Sequence, residues 1–130
     1  MSDLKMREFK ERLECFHLSR QVMGSHVPLD NIRLELTPTR FYLLPYHHLE
    51  LAEFVSAHDS DTIALSFLNH KVRIAGRNLR ALAVAFQERA VEWVMPMPEK
   101  YAEVWEGAQG LIQSIEITKP EDLCSKKTNS

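Results

Sequence analysis

Tyr46-His47-His48-Leu49-Glu50, with His58 beyond it, is the run whose side chains come closest to metal or acid–base chemistry in this 130-residue chain. Imidazole and carboxylate are the usual ligands of zinc and the usual proton carriers of catalysis. On a helix, His47, Glu50, Phe54 and His58 project to nearly one side. A rise of about 1.5 Å per residue would put His47 and His58 roughly 16 Å apart, too far to share one ion. Metal-binding helices of the HExxH type place two histidines four apart, and no such pair occurs. His47 and Glu50 are therefore the two weak metal candidates, and they need ligands from elsewhere. The alternative is that the histidines edge an apolar stripe of Leu51, Phe54 and Val55. No metal and no cofactor is expected.

Nucleophilic chemistry has less to work with. Cys15 and Cys124 lie far apart without CxxC spacing, and no serine sits in a GxSxG elbow. Four glycines leave no GxGxxG or Walker loop. Ala75-Gly76-Arg77-Asn78 reads as a strand-to-helix turn, a geometry that holds anions at a helix amino terminus or simply turns the chain. No catalytic residue is assigned.

The remaining chemistry is cationic. If Ile32, Leu34, Leu36, Phe41, Leu43, Ile63, Leu65, Phe67, Val72 and Ile74 point into a core, the opposite parity carries Arg33, Arg40, Tyr42, Lys71 and Arg73, with Glu35 as its one acid. Together with Arg77 these residues form a candidate anion or nucleic-acid surface, since basic sheets with stacking rings bind single strands. A solvated face is the competing explanation, because exposed strands use lysine and arginine against edge pairing.

Positioning these residues requires a sheet with helices behind it. Ile32–Val55 and Ile63–Phe86 superpose at one constant offset, each reading as strand, turn, strand, helix. The pattern predicts tandem ββα units at 32–58 and 62–90, with helices over Tyr46–Ala57 and Asn78–Ala90, the second capped by Asn78. Val91–Met95 reads as a fifth strand. Apolar spacing predicts a terminal helix near Asp3–Met23 and another from Tyr101 to Ile115. Gly107 and Gly110 cost that last helix about 1 kcal/mol each, so a strand over Leu111–Ile117 is its rival. The fold expected is α+β: a two-layer sandwich with an antiparallel sheet of four to five strands, helices on one face, and terminal helices.

Composition sets the outer bounds. The apolar (45%) and charged (26%) fractions suit one globular domain, taken as 1–118 with a polar tail at 119–130, and the net charge of −2 offers no global pull on nucleic acid. No apolar run reaches membrane-spanning length and the charged amino terminus lacks a signal core, so a cytoplasmic location is expected. The leading functional expectation is a small non-catalytic binding or assembly protein that self-associates as a homodimer through terminal helices, or binds another protein. A nucleic-acid or anion-binding module is the alternative, and a metal-dependent enzyme trails both.

Overall fold

Alternation of apolar and polar residues, repeated along most of the chain, yields strands rather than helices. A computed structural model describes residues 14–98 and 110–119. In chain order the strands are β1 (Phe16–Leu18), β2 (Gln21–Val22), β3 (Ser25–His26), β4 (Asn31–Thr37) and β5 (Arg40–Pro45). A single 3-10 turn, Tyr46–His48, leads into β6 (Leu49–Ser56), β7 (Asp61–Phe67) and β8 (Lys71–Arg77). Helix α1 (Arg80–Gln87), β9 (Val91–Val94) and β10 (Leu111–Thr118) follow. One sheet has the order β1-β9-β4-β5, a second β10-β8-β7-β6, and β2 pairs with β3 alone. All pairings are antiparallel except β4 with β9.

The two large sheets share one core. Ile32 and Leu34 of β4 meet Ile63, Leu65 and Phe67 of β7, Val72 and Ile74 of β8, and Leu82, Ala85 and Phe86 of α1 in a single cluster that holds no buried polar side chain. Each such side chain contributes about 1.5–3 kcal/mol on leaving water. Along β1 and β10 the sheets are stitched together. Ile112 of β10 makes both links: Met97 N–H, just past β9, donates to its carbonyl (2.8 Å), and its own N–H donates to the sulfur of Cys15, just before β1 (3.3 Å). On the other side β5 passes into β6 through the 3-10 turn, pinned where the buried Tyr46 hydroxyl donates to the Val91 carbonyl at 2.6 Å.

This architecture overturns the α+β sandwich with helices on one face. Among the described residues strands make up 57% and helical residues 12%, in three sheets with one helix. The segment expected as helix Tyr46–Ala57 is a 3-10 turn followed by strand β6, so only the second unit carries a helix and the tandem ββα overlay fails. Pro45 ends β5 at the corner. Residues 14–23 form β1 and β2, not the end of a terminal helix; residues 3–13 and 101–109 of the two expected terminal helices lie outside the described residues. Leu111–Thr118 takes the rival strand form, paired with β8.

The β4–β5 hairpin also corrects a parity. Register runs from Thr37↔Arg40 to Glu35↔Phe41, skipping Leu36 as a bulge. One inserted residue turns every following side chain to the other face. Phe41 and Leu43, expected in the core, are therefore 55% and 60% exposed, while Tyr42 packs against the core. The helix is capped differently as well. Asn78 has a left-handed φ of 56°, Leu79 takes the cap position, and no side chain of the cap residue itself contributes. At the other end Arg89, with φ 53°, closes a Schellman arrangement in which Arg89 N–H donates to Phe86 and Ala90 N–H to Ala85.

Two glycines are places where backbones touch. Gly76 lies inside β8, buried, and a methyl group there would collide with the Leu111 carbonyl oxygen of β10. At Gly110 a methyl would press to 2.9 Å from the Asn78 carbonyl and 3.1 Å from Phe16. Gly76→Ala should therefore lower unfolding free energy by at least about 2 kcal/mol in urea titrations, the scale of a forced backbone shift. A loss under about 0.5 kcal/mol would contradict this close approach.

Burial pushes the Cys15 thiol and the Tyr46 hydroxyl above their ordinary values of 9.0 and 10.0. Both groups hold their protons more tightly folded than unfolded, so their contribution is intact below those values and is lost as pH rises through them. Urea midpoints should fall between pH 9 and 11. Tyr46→Phe should cost about 1 kcal/mol at pH 7 yet lose less on further alkalinisation. An equal alkaline slope in wild type and variant would remove Tyr46 as the cause.

Candidate binding groove

Strand β6 is the last strand of its sheet, and no described residue pairs with its second edge. The phase of its ladder follows from the β6–β7 turn, where Ala57 N–H donates to the Ser60 carbonyl (2.8 Å). In the β6–β7 register Val55↔Thr62, Glu53↔Ala64 and Leu51↔Ser66 continue that phase. Hydrogen-bonded pairs alternate along an antiparallel ladder, so these residues bond to β7. Ala52 and Phe54 then turn their N–H and C=O groups toward the open edge.

Helix α1 lies beside that edge and runs antiparallel to it. The Asp61 carboxylate accepts from the Ser56 hydroxyl at 2.7 Å and from Leu79 N–H at 3.0 Å, tying the end of β6 to the start of α1. At the opposite end the Phe86 ring meets that of Tyr46 at 6.5 Å, just before β6 begins. Between strand and helix runs a groove of about 470 Å³. Its walls are six consecutive β6 residues, Leu49 to Phe54, and Arg80, Ala83, Val84, Phe86 and Gln87 from one side of α1. Six consecutive residues of one strand line a groove only if it follows the strand's edge rather than one face. Arg80 stands at the end near Ser56, and Glu50 toward the other.

The sequence-derived candidates are distributed over several places. Lys71 and Arg73 share the outer face of the second sheet. Beside them lie acids contributed by β6, expected as a helix, and by β10, for which helix and strand stood as rivals: Arg73 faces Glu116 directly and Glu53 across Ala64. Two positive and two negative side chains thus line a depression on that face, of about 520 Å³ and floored by the short side chains Thr62, Ala64 and Ser66. Arg33 belongs to the other sheet, its Nε 3.3 Å from Glu35 but donating no hydrogen bond, its guanidinium 5.9 Å from the Phe41 ring centroid. Arg40 donates to the Tyr42 hydroxyl (2.6 Å) and lies over its ring, whose edge approaches His70. Arg77 lies opposite Leu111 at the end of β8, and Gly76 is inside the strand rather than at a helix-start anion turn.

His47 is exposed in the 3-10 turn, its ring 4.5 Å from that of His48. Glu50 is exposed at the bulge where β6 register shifts between Leu49 and Leu51, and it lines the groove. Without the helix that set them three apart, His47 and Glu50 no longer share a side. Among the described residues no three His, Cys, Asp or Glu side chains gather as a metal set. No described helix is long and apolar enough to cross a membrane.

Comparison with protein families, with curated proteins and with solved structures finds no match. The groove was missed in sequence because one of its walls was read as the other kind of element. The alternation Leu49, Leu51, Glu53, Val55 was the available signal, since it fits a strand with one face half exposed.

Asp61 holds both walls. Asp61→Ala should cost about 1–2 kcal/mol in urea unfolding, the worth of a helix-start hydrogen bond plus a side-chain one. Asp61→Asn, which keeps one acceptor oxygen, should lose less. Equal losses in the two variants would show that the carboxylate does not position the helix.

Proposed function

We propose that this chain is a non-catalytic binding module that captures an extended peptide segment by strand addition along β6, in the groove against α1. The observation that carries the reading is the continuous Leu49–Phe54 wall, with an open ladder edge on one side and, opposite, a helix wall of Ala83, Val84 and Phe86 between Arg80 and Gln87. Strand addition draws affinity from main-chain hydrogen bonds and selectivity from pockets for alternate side chains. Ala52 and Phe54 supply the first; Phe54, Ala83, Val84 and Phe86 form the second. Six residues at about 3.3 Å each give a seat of roughly 20 Å. The volume falls within the usual range of about 300–1,000 Å³ for ligand sites.

Self-association is the second reading, and exposed apolar residues favour it. Four of the large hydrophobics exposed by half or more, Phe41, Leu43, Leu51 and Val55, lie on β5 and β6, the two edge strands at the corner. A homodimer would then form through strand edges in place of terminal helices. Pairing β6 with a second β6 would, however, bring four carboxylates from two copies of Glu50 and Glu53 into one short seam, and like charges across strands destabilise. The nucleic-acid reading has less support, since Glu53 and Glu116 accompany the cations of the second sheet.

A labelled octapeptide alternating valine and serine tests strand addition by fluorescence anisotropy. Micromolar binding is expected for the wild type. Ala52→Pro removes an outward N–H that β7 does not use, and proline is tolerated on edge strands in that orientation. It should weaken binding at least about tenfold, the equivalent of one lost hydrogen bond near 1.4 kcal/mol, with the thermal transition retained. Unchanged affinity in a folded Ala52→Pro protein would refute the mode of binding.

A further inference from the structure

The outer edge of the groove carries a charge with no partner among the described residues. Glu53 points to the outer face of β6, and its cross-strand neighbour on β7 is Ala64, a small uncharged residue. Arg73 lies one strand further, roughly 10 Å across at the usual strand spacing, with Glu116 directly opposite it on its far side. Glu53 forms no ion pair with any described residue. Its other flank is the open edge. On the same face Leu51 and Val55, two residues to either side, are 60% and 50% exposed.

The groove side of the same edge has a different character. Ala52 and Phe54 face the helix, where Ala83 and Val84 offer apolar surface, and Val84 is 53% exposed. A strand laid along β6 sends alternate side chains to these two environments. Those on the groove side meet the carbon of Ala83, Val84 and Phe86, with Arg80 and Gln87 on the same wall of the helix. Those on the outer side stand beside Glu53, within reach of a directly opposed cross-strand charge pair.

We propose that the natural occupant of the groove is an extended segment alternating apolar and basic residues, with a lysine or arginine set beside Glu53 and apolar side chains turned toward α1. The inference rests on the strand-addition reading and adds the chemistry of the partner. An acidic segment is repelled by Glu53 and by Glu50 near the groove's end. A second copy of β6, which is itself acidic, is disfavoured on the same ground.

Three labelled octapeptides, alternating valine with lysine, with glutamate or with serine, separate the two levels of the proposal. At low salt the valine–lysine peptide should bind about tenfold tighter than the valine–glutamate one, a ratio that shrinks toward one as salt screens the exposed charges. Glu53→Lys should reverse that order while leaving the valine–serine peptide within about twofold, since an exposed charge contributes little to a neutral ligand. Glu53→Gln should abolish most of the preference and guards against a lysine variant that folds poorly. Equal binding of all three peptides to the wild type would overturn the basic-partner inference and leave strand addition standing. Binding of none of them, or binding insensitive to Ala52→Pro, would overturn both. A charge preference that survives Glu53→Gln would place the selecting group elsewhere and also overturn it.

Discussion

The Asp61 carboxylate is the constraint on which the geometry of this protein turns. Its two oxygens accept from the Ser56 hydroxyl and from Leu79 N–H, so the end of β6, the beginning of β7 and the beginning of α1 are held at one point. A helix of eight residues is too short to be stable alone, and its own cap residue supplies no side-chain acceptor. Its position comes from that carboxylate at one end and from Phe86 against Tyr46 at the other. Because both tethers attach the helix to the flanks of β6, the strand edge and the helix face necessarily run side by side. The groove is a consequence of how the helix is held.

The same logic explains why the edge is open. β6 enters through a tight 3-10 corner whose Tyr46 hydroxyl is buried against the Val91 carbonyl, and this corner sends the chain out of the first sheet into the second. On the opposite side of the molecule the sheets are closed by hydrogen bonds around Cys15 and Ile112 and by the close approach of Gly110 to Phe16. One seam is sealed, and among the described residues the other is spanned only by the corner and the helix. Exposed edges invite aggregation, and charge on the strand is a common safeguard. Glu50 and Glu53 supply it here, and the same carboxylates give the edge its electrostatic character.

Much of the local structure was legible in the sequence, and the failures have specific causes. The hairpin of β7 and β8 and helix α1 follow from short-range patterns: Ile63, Leu65 and Phe67 alternate, and Leu79, Leu82 and Phe86 fall on one helical side. In β6, Leu51, Phe54 and Val55 fit helical spacing, while Leu49, Leu51 and Val55 fit a strand. Nothing local separates the two; pairing with β7 decides, and that is non-local. The bulge at Leu36 leaves no sequence mark either, yet it moves Phe41 and Leu43 from core to surface. Those two errors propagated to the site. Lys71 and Arg73 lie exposed on one face as alternation gives, but the acids that accompany them come from β6, expected as a helix, and from β10, for which helix and strand were rivals.

The central claim, that β6 is completed by a strand from another molecule, is tested most directly by isotope-edited NMR of the labelled protein with an unlabelled valine–lysine octapeptide. The account predicts intermolecular nuclear Overhauser effects from the amide protons of Ala52 and Phe54 to the peptide backbone, with side-chain contacts to Val84. Contacts confined to the outer faces of the two sheets, with none at the β6 amides, would contradict it.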